Sequence, residues 1–224
     1  MKKLLLLSIL CVSNVVISAD IKVYKPDTAW FTSKQSSMLS IANNLLLRHY
    51  NKKINDKEFV SELLKCSLKN NFWCSGRLGD WLLEKKEYSD AFYLLTQAND
   101  NLHDSFSFSL GKMYLEGIGV LQNEEEALLY FKKAAKAEVD LTGVRKYAAY
   151  NIGVIYTQKE LGKKNNNIAN ITKAYAWFKV SKALGYDAEI EVNEVLKEYL
   201  ASRKGLLKAD KLATQICSTI PNCQ

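Results

Sequence analysis

Ser109 and Lys112 stand three residues apart in Ser109-Leu110-Gly111-Lys112. That is the Ser-x-x-Lys spacing in which a lysine amine can take the proton of a serine nucleophile during acyl transfer. Neither Lys-Thr-Gly nor Ser-Asp-Asn accompanies it, and its Leu-Gly belongs to a phrase repeated elsewhere in the chain, so the match reads as coincidence. His49 and His103 have no serine or cysteine partner that spacing nominates, and they sit in no metal-ligand pattern. Glu124, Glu125 and Glu126 read as the start of a helix, not as an acid pair. The sequence therefore nominates no catalytic residue, no metal site and no cofactor. Cys66, Cys74, Cys217 and Cys223 offer different chemistry. An even number of cysteines in an exported chain suggests disulfides. Four cysteines allow three pairings, of which the local one, Cys66 with Cys74 and Cys217 with Cys223, is the simplest. Cys-x7-Cys and Cys-x5-Cys are not zinc spacings.

Export itself is read from the start of the chain. Met1-Lys2-Lys3 is a positive lead, Leu4 to Leu10 is an apolar run, and Ile17-Ser18-Ala19 is a small-residue cleavage pattern. Residues 1–19 are expected to be a signal peptide, removed before Asp20. Once that site is honoured the run is too short to span a bilayer. Leu10 precedes Cys11 where a lipidated cysteine wants Gly, Ala or Ser, so no lipid anchor is expected. Residues 20–32 contain Pro26, lack a helical period, and are expected to form an extended arm. Residues 33–224 are read as one α-helical repeat domain. Removing Lys2 and Lys3 lowers the formal charge from +7 to +5. The lysines are spread without a dense stripe, which argues against nucleic acid as a partner. The chain has two prolines, Pro26 and Pro221, so its interior is free to be helical.

What positions these residues is a recurring unit. Leu78-Gly79, Leu110-Gly111 and Ile152-Gly153 repeat one phrase. Each is followed by a stretch centred on Ala91 and Ala98, Ala127 and Ala134, or Ala174 and Ser181. Four residues after the first alanine come Leu95, Phe131 and Phe178; three after it come Leu94, Tyr130 and Trp177. Two amphipathic stretches per unit of this length predict a solenoid of helix pairs, a class that binds more often than it catalyses. The expected fold is all-α, with about five pairs. The first pair runs from Ser33 to Tyr50 and, capped by Asp56, to about Leu68. The second runs from Trp73 to Glu84 and from Tyr88 to Ala98. The third starts after Asp104, ends its first helix at Gly117-Ile118-Gly119-Val120, and begins its second at the cap Asn123. The fourth runs from about Thr142 to Lys159 and from Ile171 to Leu184, with an insertion at 161–170. Residues 189–201 and 206–216 make the last pair. A glycine within a helix costs about 1 kcal/mol against alanine, so Gly79, Gly111 and Gly153 predict close helix–helix approach, offset by the small alanines of the partner helices.

The stretches LGKMYLEGIGV with EEALLYFKKAA, and YNIGVIY with KAYAWFKVSKALGY, resemble the Sel-1-like repeat, a relative of the tetratricopeptide repeat. RLGDWL with DAFYLLTQA is a more divergent copy. The clearest repeats are 105–137 and 142–186. The resemblance implies a right-handed superhelical solenoid of antiparallel helix pairs and a scaffold or adaptor role. Some secreted cysteine-rich members place one Cys at the end of a second helix and another eight positions on, as Cys66 and Cys74 stand here. The resemblance also implies a groove lined by first helices, which nominates Trp73, Asp80, Glu84, Phe108, Lys112, Glu116, Tyr147, Tyr150 and Gln158 for partner binding. The expected function is a non-enzymatic, periplasmic or secreted interaction scaffold in a bacterial envelope, with a protein partner and no membrane insertion after cleavage. Two alternatives stand beside it: an immunity protein that neutralises a toxin delivered by a neighbouring cell, and a penicillin-recognising or cell-wall-active enzyme of the cysteine-rich type.

Overall fold

A computed structural model of the chain describes residues 33–102, 104–137, 140, 143–159, 167–187 and 203–223. The expected signal peptide, the arm at 20–32, His103, residues 161–166 of the expected insertion and the helix at 189–201 lie outside the described residues. Among those described, every regular element is a helix: α1 Ser33–Tyr50, α2 Asp56–Ser67, α3 Phe72–Glu84, α4 Tyr88–Asn101, α5 Ser107–Glu116, α6 Glu124–Lys136, α7 Val144–Gln158, α8 Ile168–Ala183 and α9 Arg203–Cys217. They form two compact units, one holding α1 to α4 with the Gly117–Leu121 turn, the other holding α5 to α9. Each unit is a stack of helix pairs: α3 on α4 in the first, α5 on α6 and α7 on α8 in the second, with α9 against α8.

The repeated glycines are the key to the pairing. A Cβ built on Gly79 would lie 2.8 Å from Leu95 Cγ; on Gly111, 2.8 Å from Phe131 Cδ1; on Gly153, 2.6 Å from Phe178 Cε1. Each first helix thus carries a notch, and the residue four places after the partner helix's first alanine fills it. Close approach is what the glycines serve, but the group in the notch is a large side chain and not the small alanines. Phe131 is fully buried and Phe178 is 2% exposed, so these rings anchor the core of their pairs.

Capping explains where the helices start. Asn55, not Asp56, caps α2: its side chain accepts from the Glu58 N–H at 2.9 Å while Glu58 Oε2 accepts from the Asn55 N–H at 3.0 Å, a reciprocal capping box. Asn123 caps α6 as expected, accepting from the Glu125 and Glu126 N–H groups. Ahead of α5, Asp104 has a left-handed φ of 64°, and its Oδ1 accepts from the Ser107 hydroxyl at 3.4 Å and lies 3.2 Å from Lys133 Nζ. α7 starts after Gly143, with Asp140 Oδ1 accepting from the Val144 N–H at 2.7 Å. α8 starts at Ile168, a turn earlier than the periodicity suggests, because Asn167 caps it through the Ala169 N–H. α4 runs on to Asn101, one turn past Ala98.

Two cysteine pairs lock the ends of helices. Cys66 and Cys74 are bonded with Cα atoms 5.9 Å apart, tying the end of α2 to the start of α3. Beside them the Ser67 and Ser75 hydroxyls are 2.7 Å apart. At the other end of the same two helices, Lys85 Nζ donates to Asp56 Oδ2 at 3.0 Å. Cys217 and Cys223, with Cα atoms 5.2 Å apart, close the turn after α9. Arg145 receives that turn: its Nη1 donates to Pro221 O at 3.5 Å while Nε and Nη2 donate to Ala137 O at 2.9 and 2.6 Å.

Candidate functional site

Aligning the three notch glycines puts the nominated residues at four repeat positions. Three residues before the glycine stand Gly76, Phe108 and Tyr150; one after it, Asp80, Lys112 and Val154; five after it, Glu84, Glu116 and Gln158. Those positions are separated by four residues each, so in every first helix they form one line along one face. Six before the glycine stand Trp73, Ser105 and Tyr147.

In the second unit the line begins in aromatic packing and ends in solvent. Phe108 meets the notch ring Phe131 at 5.7 Å between centroids with planes tilted 55°. Tyr150 meets Phe178 at 5.6 Å and 53°, the same arrangement one pair further on. Both rings are half-buried, while Lys112, Glu116 and Gln158 are exposed. Tyr147 is 38% exposed, its ring 5.3 Å edge-on from Tyr186, which also meets Tyr150 at 4.9 Å. Lys146 Nζ stands 5.1 Å over the Tyr147 ring. The result is a patch of three tyrosines with a cation beside it.

In the first unit the line is acidic and its neighbour is a buried cation. Glu84 is exposed and Asp80 partly so. Arg77 is 8% exposed, its Nη1 3.9 Å from Asp80 Oδ2. Burial works against the Arg77 charge and lowers its pKa, and the Asp80 carboxylate opposes that. Trp73 is 1% exposed, so its indole is part of the core and offers no surface to a partner. The groove geometry that the resemblance implies nominated it; the same repeat position carries Ser105 and Tyr147 in the other units.

Tyr186 and Lys146 were not nominated from the sequence. Tyr186 had a signal in Leu184-Gly185-Tyr186 after a helical run. Gly185 has φ 88°, its N–H donates to Lys182 O, and the Tyr186 N–H donates back to Ser181 O at 3.0 Å. This glycine-ended helix terminus turns the next side chain back over its own pair. Ser109 is half-buried and Lys112 exposed on α5. His49 is engaged in packing: its Nε2 is 2.8 Å from Asp56 Oδ1 and its ring stacks on Phe59 at 4.3 Å. Among the described residues no three His, Cys, Asp or Glu side chains come together as a metal site, and no helix is long and apolar enough to cross a membrane.

Residues 107–139 and 146–186 match the Sel1 repeat. The chain is 29% identical over 118 residues to the Sel1-repeat-containing protein YjcO of Escherichia coli (strain K12), an alignment covering 50% of this chain and 47% of that protein. Uncharacterized YjcO proteins of Escherichia coli O157:H7 and Shigella flexneri match to the same extent. The chain spans about half the length of the curated relatives it matches. In fold it is similar to a crystal structure described as c5321, a protective antigen present in uropathogenic Escherichia coli strains displaying an SLR fold. That likeness has a TM-score of 0.61 at 19% identity, covering 84% of this chain and 39% of that one. The repeated glycine notches, the paired helices and these matches agree: the chain carries Sel1 repeats at residues 107–139 and 146–186.

Proposed function

We propose that this chain is an exported interaction scaffold of the cell envelope, holding a protein partner along the first helices of its repeats. One observation carries the reading. Phe108–Lys112–Glu116 and Tyr150–Val154–Gln158 each run as a single line, half-buried and aromatic at one end, exposed and polar at the other. Aromatic rings fixed by packing, with charged groups beside them, are the kind of surface from which a few residues carry most of a binding energy. The core positions of the same helices, Leu110, Met113 and Ile152, are fully buried, so variation along the exposed line is free to set partner choice without disturbing the fold. Export is supported by the two cysteine pairs, which persist in oxidising compartments. The test is a photo-crosslinking residue placed at Lys112, Glu116 or Gln158 in living cells. Discrete protein adducts from these positions, and none from Lys211 on α9, are expected. Adducts from Lys211 alone would overturn the assignment.

A further inference from the structure

Among the described residues, the two disulfides sit in different surroundings. Cys74 is fully buried, with Cys66 half-exposed beside it. Cys217 and Cys223 are both half-exposed, resting on the edge of the second unit's core. Thiol–disulfide exchange needs an accessible sulfur to attack and a leaving sulfur that can carry charge. Attack on Cys66 would expel the Cys74 thiolate into an apolar interior, which disfavours it. Attack on either Cys217 or Cys223 expels a thiolate that water reaches. The bond after α9 is therefore the one more open to exchange.

The turn that this bond closes is seated by the buried Ile220 side chain and by a long bond, 3.5 Å, from Arg145 Nη1 to Pro221 O. Within the turn, the Ile220 N–H donates to Cys217 O at 3.0 Å and the Cys223 N–H to Ile220 O at 3.4 Å. Asn222 has a left-handed φ of 59°, a conformation uncommon outside glycine. It stands where the chain reverses and Cys223 comes back to Cys217. With the bond open, Asn222 is free to leave that conformation, and Pro221 to leave Arg145. Pro221 and Asn222 also wall a cleft of about 180 Å³ lined by Arg145, Lys146 and Leu184. Lys146 Nζ stands over the Tyr147 ring, so the cleft borders the tyrosine patch.

We propose that Cys217–Cys223 is a redox latch on the second unit: a dithiol opens it, the turn leaves Arg145 and the cleft beside Lys146 and Tyr147 widens, while Cys66–Cys74 stays closed. One thiolate of the dithiol attacks a sulfur of the pair, the Cys217–Cys223 bond breaks, and a mixed disulfide forms. The second thiol of the dithiol then resolves that mixed disulfide. Two electrons pass to the cysteines, two protons end on their sulfurs, and the dithiol leaves as its own disulfide. The latch needs no partner and stands independently of the first-helix line.

The test treats the oxidised chain with graded dithiothreitol, traps thiols with iodoacetamide and maps the peptides. Cys217 and Cys223 should be alkylated at least about tenfold faster than Cys66 and Cys74. On the selectively reduced chain, before alkylation, amide exchange at Thr219, Ile220 and Cys223 should quicken and Arg145 should become reactive to phenylglyoxal, with exchange across α3 and α4 unchanged. Cys217→Ser with Cys223→Ser should show the same changes without reductant. Should that variant fail to fold, reduction of the parent chain still decides. Equal or faster opening of Cys66–Cys74 would overturn the proposal. So would a reduced Cys217 and Cys223 with Arg145 still protected and the amides of the turn unchanged.

Discussion

Gly153→Ala should destabilise the chain even though alanine is the better helix former. A methyl at this position would lie 2.6, 2.7 and 3.0 Å from Cε1, Cδ1 and Cζ of Phe178. Carbon atoms in contact prefer about 3.5–4.0 Å, so the ring must retreat by roughly 1 Å. Phe178 is 2% exposed and its ring also meets Tyr150 at 5.6 Å, so it has little room to retreat. Overpacking of this kind costs about 1–3 kcal/mol, against about 1 kcal/mol gained from helix propensity. The net expectation is a loss of about 0–2 kcal/mol, or up to roughly 8 °C in Tm for a chain of this size. Gly111→Ala should lose less, because its nearest Phe131 atoms lie at 2.8, 2.9 and 3.2 Å. Urea denaturation followed by circular dichroism measures both. Phe178→Leu in the Gly153→Ala background should recover part of the loss, with a coupling of about 0.5–3 kcal/mol. A Gly153→Ala variant more stable than the parent by the full propensity gain, and uncoupled from Phe178, would refute the notch as the reason for the repeated glycine.

Asp56 should set part of the acid sensitivity. Burial pushes its carboxyl up, but hydrogen bonds from His49 and Lys85 and the Lys85 charge together hold it below the ordinary aspartate value. A folded pKa below the unfolded one gives stability that is present above the unfolded value, about 3.9, and is lost as pH falls through the folded value; Asp56→Asn should flatten that limb of a stability–pH curve. Tyr175 donates to Asp210 Oδ1 at 3.1 Å, and burial first, then the Asp210 charge and hydrogen bond, push its pKa up to about 12. Its folded value lies above the unfolded one, so its contribution is present below about pH 10 and is lost as pH rises through the folded value; the ultraviolet titration should lose a high-pH phenol step in Tyr175→Phe. Asn55→Ala removes the capping box of α2 and should cost about 1 kcal/mol by thermal denaturation. Replacing Cys66 and Cys74 by serine should cost about 2–3 kcal/mol in the chain-entropy account, and non-reducing peptide mapping should find Cys66 joined to Cys74 and not to Cys217 or Cys223.

The helix pairs were legible in the sequence because Leu-Gly and the alanine stretches recur at spacings that only stacked helices reconcile. The identity of the notch filler was present too, in Leu95, Phe131 and Phe178, but periodicity says that a residue repeats, not what it touches. Trp73 misled because a repeat position has no fixed burial: the same place holds a core indole in α3 and an exposed tyrosine in α7. The first turn of α8 was hidden in an asparagine-rich stretch, where a capping Asn167 looks like any loop asparagine until the amides it accepts are seen. Asp56 was read as a local cap, whereas its partner Lys85 lies 29 residues away, a distance over which sequence pattern carries no pairing information. The Tyr147–Tyr150–Tyr186 patch needed the same long-range knowledge, since Tyr186 reaches it from the end of another helix.

If the exposed line of the first helices binds a protein partner, its polar side chains supply part of the binding energy. The most direct test is isothermal titration of the partner recovered by crosslinking at those positions with the parent chain and with Lys112→Ala/Glu116→Ala/Gln158→Ala, three exposed substitutions that leave Phe108 and Tyr150 in their packing. An unchanged melting temperature and binding weakened at least tenfold, about 1.4 kcal/mol, are expected. Binding of undiminished affinity by the folded triple variant would contradict it.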